Sequence, residues 1–129
     1  MAKKEGKLTV ITKAELLCEY VLTITDKSPK NLRFTYVSRL QSFAIEILEK
    51  LFSANRCDLF NPEERKLRLR YQNFVDDRLH LLDFMSRIAV DVKCIAPKQN
   101  ERIARQISDV LKYLSAWMQS DEKRIGTGL

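Results

Sequence analysis

The chain has 129 residues, is 45% hydrophobic and 31% charged, and carries a net charge of +6. These values exclude wholesale disorder and suit one domain with one real core. Three Gly and three Pro are too few turn-formers for a many-stranded sandwich and leave a few long helices as the architecture.

The basic balance admits an anionic partner, whether RNA, DNA or an acidic membrane surface, without requiring one. No run approaches the ~20 apolar residues of a membrane span. Cys18, Cys57 and Cys94 are widely spaced and odd in number, and His80 is the only histidine. With no CxxC pair, the ligands of a zinc site are missing, so three reduced thiols in a cytoplasmic protein are expected, with no metal and no cofactor.

In chain order, residues 1–11 read as a mobile basic leader, with Lys3, Lys4 and Lys7 against Glu5. Leu8, Val10 and Ile11 are available to dock onto the bundle, and no apolar region of signal type succeeds the leader. Thr12-Lys13-Ala14-Glu15 has capping-box form, which predicts a helix from there to about Asp26 with Leu17, Tyr20, Val21 and Ile24 on its apolar face. Asp26-Lys27-Ser28-Pro29 is a turn in which Ser28 suits an N-cap and Pro29 the first helical position.

A central helix comes next, to about Asn55. Val37, Leu40, Ala44, Ile47 and Leu51 form a heptad seam, flanked by Phe34, Gln41, Ile45, Leu48 and Phe52 on one side and by Tyr36 and Phe43 on the other. At about 100° per residue, the apolar arc covers roughly half the cylinder. Such a helix is either the most central one of a monomeric bundle or one that also meets a second subunit.

Arg56–Phe60 is a short connection with Leu59 and Phe60 tucked in. Asn61-Pro62-Glu63-Glu64 combines a cap, a proline and two acids at the positive end of a helix dipole. The helix it opens is expected to reach about Lys93, with Leu67, Tyr71, Phe74, Leu81, Leu82, Met85, Ile88, Ala89 and Val92 as its apolar set. Pro97 opens a last helix carrying Ile103, Ile107, Val110, Leu111, Leu114, Trp117 and Met118. The bundle thus occupies 12–120, and residues 121–129 are expected to fray. Helices joined by short connections pack antiparallel, so the expected fold is all-α: an antiparallel up-down-up-down four-helix bundle.

Little in the chain suggests catalysis. GxSxG, HExxH, GxxxxGK and ExxH are all absent. Asp76 and Asp77 are adjacent, so on a helix they diverge by about 100° and form no dyad. The expectation is a protein that is not an enzyme, with no catalytic residues.

Binding residues are better supplied. Arg65, Lys66, Arg68 and Arg70 open the third helix, and Arg39, Arg87, Arg102, Arg105 and Lys112 widen the basic surface. Arginine's planar fork suits phosphate, so these cations either track a nucleic-acid backbone or form a solvated face balanced by nearby acids. Aromatic residues are not interleaved with the run, which points to backbone contacts rather than base reading. Arg78 falls within an apolar arc, where it meets a carboxylate or carbonyls, snorkels outward, or enters a cavity or subunit interface. Leu69, Leu79 and Phe84 lie off the main stripe. With Tyr36, Phe43 and Arg78 they are the candidate oligomer interface.

One resemblance runs through about Ala14 to Ser120. Lys27-Ser28-Pro29-Lys30-Asn31-Leu32-Arg33-Phe34, then Arg39-Leu40-Gln41, Ala44-Ile45-Glu46 and Leu51-Phe52-Ser53-Ala54-Asn55, resemble the central region of the Avd family. These are the accessory variability determinant proteins of diversity-generating retroelements. The Arg-rich third helix and the ending Leu111-Lys112-Tyr113-Leu114-Ser115-Ala116-Trp117-Met118 are similar to that family as well. The chain departs from the family at Ser115-Ala116, where glycines precede the tryptophan.

The resemblance implies a four-helix bundle that assembles as a ring of five and has no catalytic activity. It implies binding of a reverse transcriptase and its template RNA or DNA, in support of mutagenic cDNA synthesis. The implied contacts are the helical cations, chiefly Arg65, Arg68, Arg70 and Arg87. A sister family shares the fold: small proteins encoded in intervening sequences of bacterial large-subunit ribosomal RNA genes. Its type, an interaction protein of unspecified partner, is the alternative reading.

Overall fold

The first helix, α1 (Thr9–Thr25), begins ahead of its predicted start. The structure, a computed structural model, describes residues 8–128. Thr12 is inside α1, and its hydroxyl reaches back to the Leu8 carbonyl at 3.5 Å rather than capping the helix. The reason is burial. Val10 and Ile11 are in the core, and enclosing such side chains is worth about 1.5–3 kcal/mol each, against about 1 kcal/mol for a cap. The expected leader 1–11 is therefore cut short by α1, and residues 1–7 lie outside the described residues.

Ser28 does not cap a helix either. Its hydroxyl donates to the Cys94 carbonyl at 2.7 Å and ties the first connection to the third. A 3₁₀ turn (Lys30–Leu32) and a π-helical turn (Arg33–Val37) then precede α2 (Ser38–Arg56). The Ser38 amide bonds the Arg33 carbonyl five residues back, so this turn holds an extra residue and rotates the preceding residues off the α-helical register. The seam Val37, Leu40, Ala44, Ile47 and Leu51 is buried as expected, but Phe34, placed beside it by the sequence, is 90% exposed.

Asn61 starts α3 (Pro62–Asp91) as predicted, its Oδ1 accepting from the Glu63 and Glu64 amides at 3.0 and 3.1 Å. α3 buries Leu82 and Ala89 as predicted, but the rest of its buried face is not the predicted one. Arg68, Gln72, Val75, Leu79, Leu82, Ser86 and Ala89 form its buried line. The more apolar line one residue earlier, including Leu67, Tyr71, Phe74, Leu81, Met85 and Ile88, remains exposed or half-buried at the bundle's edge.

α3 ends in a Schellman arrangement: the Lys93 amide bonds the Val90 carbonyl at 3.0 Å and the Cys94 amide bonds the Ala89 carbonyl at 2.7 Å. Lys93 has φ 64°, the left-handed position where glycine is usual. Pro97 opens α4 (Pro97–Gly128), with the Ala96 amide donating to Gln99 Oε1 at 2.7 Å. α4 does not fray at Ser120: it continues through the described part of 121–129, and Asp121 is buried. Ser115 and Ala116 are exposed, whereas Trp117 is buried.

α1 packs against α2 and α4, and α3 packs against the same two helices. These four helices enclose one apolar core, and the described residues contain no strand. No described helix is long and apolar enough to cross a membrane.

Candidate nucleic-acid interface

The helical cations divide by burial. Lys66, Arg70 and Arg87 lie on the outer side of α3, all exposed, and Arg87 pairs with Asp83 at 3.0 Å. Arg102 and Arg105 are exposed on α4, with the Arg102 guanidinium 4.2 Å from the Tyr20 ring centroid. Arg39 is exposed on α2. Arg65 is half-buried, its Nε enclosed without a hydrogen-bond partner among the described residues. These cations are spread over three helices, α2, α3 and α4. Among the described residues, Arg39, Lys66, Arg70 and Arg105 form no ion pair.

Arg68 must be taken out of this set. It is 6% exposed. Its Nε and Nη2 donate to the two carboxylate oxygens of Asp121, each at 2.8 Å, and its Nη1 donates to the Cys57 carbonyl at 3.1 Å. Gln72 adds a third hydrogen bond to Asp121 at 3.0 Å, and the guanidinium lies 4.8 Å from the Trp117 ring centroid. Burying a lone arginine is prohibitive, but a two-pronged carboxylate with its lone pairs filled makes it tolerable. The sequence shows the cation; its partner is 53 residues away, in what read as a fraying tail.

The candidate interface residues divide in the same way. Leu79 is fully buried and Phe43 nearly so, both in the core, so neither is open to another subunit. Arg78 finds a carboxylate in its own chain: Nε donates to Glu46 Oε1 at 2.9 Å, with the guanidinium 4.3 Å from the Phe74 centroid and 5.8 Å from that of Phe43. It staples α3 to α2. Tyr36 is half-buried against the core, while Leu69 and Phe84 stay exposed.

His80 is exposed, its Nδ1 2.8 Å from the Asp76 carbonyl oxygen of the preceding turn. The three cysteines are free and buried. Burial pushes the Cys18 thiol above its ordinary range, with Glu19 adding to it. Cys57 is raised by burial and by Glu64, against the opposing pull of Arg68 and Arg56. Among the described residues no cluster of His, Cys, Asp and Glu is arranged to hold a metal ion.

Compared with models of known protein families, the chain matches none, and no curated protein sequence matches it.

Proposed function

We propose that this chain is a non-catalytic, cytoplasmic accessory protein of the Avd type, binding the reverse transcriptase and the template RNA or DNA of a diversity-generating retroelement to support mutagenic cDNA synthesis. The observation that carries the nucleic-acid part is the set of cations Arg39, Lys66, Arg70 and Arg105, which form no ion pair among the described residues. Dispersed over the helices, they suit an extended phosphate backbone better than a compact ligand. The polymerase and the retroelement rest on the sequence resemblance.

Self-assembly is part of the proposal: an antiparallel up-down-up-down bundle repeated as a homopentamer. Supporting it is the line Leu67, Tyr71, Phe74, Leu81, Met85 and Ile88, more apolar than the line α3 buries yet left at the edge, with Phe84 and Leu69 exposed nearby. Five copies multiply +6 to about +30, and repeated weak phosphate contacts then act through avidity.

The test is a tagged pull-down from the native host, with bound protein identified and bound RNA sequenced. A reverse transcriptase recovered with one defined RNA is the expected result. Ribosomal RNA, or nothing specific, returns the chain to the ribosomal intervening-sequence type. For the cations, Lys66→Glu with Arg70→Glu is the informative pair, because both are exposed. It should weaken RNA binding and flatten the salt dependence while leaving helicity intact.

A further inference from the structure

The α1–α2 connection and the start of α2 hold a second basic feature, which shares only Arg39 with the helical cations. Between Asp26 and Gln41 there are four cations, Lys27, Lys30, Arg33 and Arg39, against the single acid Asp26. All four cations are exposed. In their midst Phe34 stands 90% exposed, held outward by a π turn, a rare conformation that recurs at functional sites. Phe34 also borders a cleft of about 250 Å³ lined by Thr25, Asp26, Arg33, Val37, Ser38 and Gln41. That volume is below the range of sites for drug-sized ligands and suits a single planar ring.

The polar lining is oriented from beneath. Thr25 is buried, and its hydroxyl donates to the Val21 carbonyl at 2.7 Å, so its oxygen is left to accept. It accepts from Gln41 Nε2 at 2.9 Å. The Gln41 amide is thereby fixed with its nitrogen inward, leaving its carbonyl oxygen as an acceptor. With the Asp26 carboxylate, the Gln41 carbonyl oxygen gives the cleft a wall that accepts, while Arg33 and Ser38 supply donors beside it.

We propose that this cleft binds one unstacked base of a single-stranded nucleic acid, with Phe34 as the stacking face, Asp26 and Gln41 accepting from the base edge, and Lys30 and Arg33 holding the flanking phosphates. The proposal rests on the nucleic-acid reading above. It adds a base-contacting site to a surface otherwise suited to backbone contacts. Asp26 and the Gln41 carbonyl oxygen, which only accept, favour bases that carry an amino group, adenine, cytosine or guanine, over uracil.

Fluorescence anisotropy with labelled 12-nucleotide single strands and a duplex of the same length tests it. Phe34→Ala should weaken single-strand binding about 5- to 150-fold, the range of losses when one stacking aromatic is removed. It should leave duplex binding and the salt slope unchanged, and Phe34→Tyr should restore the affinity. Arg33→Ala should instead reduce the slope of log affinity against log salt by about 0.7, one phosphate contact on a single strand. Wild type should prefer oligo(A) or oligo(C) to oligo(U), and Asp26→Asn should narrow that preference.

Wild-type affinity in Phe34→Ala, with binding lost in the Lys66→Glu and Arg70→Glu pair, overturns this site and leaves the proposed function standing. No binding of any strand by wild type removes both. A lower mass for Phe34→Ala in light scattering would make Phe34 a contact between copies and overturn the site.

Discussion

Arg68 shows how little a residue's type says about its role. In sequence it is one of a run of cations; in the structure it holds the end of α4 against the start of α3 and the connection before it. Removing one partner of a buried pair leaves the other uncompensated, so Asp121→Ala should destabilise the fold by about 3–5 kcal/mol. Replacing both, Arg68→Met with Asp121→Leu, should recover most of that loss. Urea denaturation of the three proteins, followed by far-UV circular dichroism, checks both expectations. The pairing also rules out Arg68→Glu as a test of RNA binding, since a second carboxylate there would face Asp121.

The thiols give a residue-scale pH dependence. Folding raises the Cys18 and Cys57 pKa values, so the folded chain resists ionisation that the unfolded chain undergoes from about pH 8.5. Their contribution to stability is fully present below that pH and declines as pH rises through it. The denaturation midpoint should therefore fall above pH 8.5, and fall less in Cys18→Ala with Cys57→Ala. Native protein at pH 8 should react slowly with a chromogenic disulfide reagent at these positions and promptly once unfolded.

At the scale of elements, the end of α3 is under local strain that a substitution can relieve. Lys93 has a left-handed backbone, unfavourable by about 1–2 kcal/mol for a residue with a Cβ. Both bonds of the Schellman turn depend on that conformation. Lys93→Gly should raise stability by about 0.5–1 kcal/mol, the steric relief being partly offset by glycine's greater freedom when unfolded. A melting curve of the variant against wild type measures it. α3 also explains why a stripe was misplaced. It carries two heptad lines one residue apart, and hydrophobicity alone selects Leu67, Tyr71, Phe74, Leu81, Met85 and Ile88 besides Leu82, Ala89 and Val92. The core keeps Leu82 and Ala89 but completes their line with Arg68, Gln72, Val75, Leu79 and Ser86, because Asp121 and Asn100 supply partners to its polar members Arg68, Gln72 and Ser86.

For the whole molecule, the proposed ring makes an expectation about mass. Light scattering should find a multiple of 15.1 kDa, and Leu81→Glu with Phe84→Glu should lower it toward one chain without loss of helicity, since both residues are exposed. A single-chain mass for wild type would set aside the pentamer and leave the half-exposed line of α3 as ordinary surface.

The sequence by itself determined the elements that depend on neighbours along the chain. The Asn61 cap, the proline openings at Pro62 and Pro97, and the seam from Val37 to Leu51 are short-range patterns, and the structure keeps them. The chain that read as all-helical is all-helical over its described residues. Tertiary structure decided what depends on partners distant in sequence. Docking of Val10 and Ile11 moved the start of α1, the Asp121 carboxylate turned Arg68 inward, and Glu46 engaged Arg78 within the chain. The π turn put Phe34 outside. Helical periodicity fixes relative angles along one cylinder, but which angle faces the core is settled by the other helices, through the volume they fill and the hydrogen-bond partners they bring.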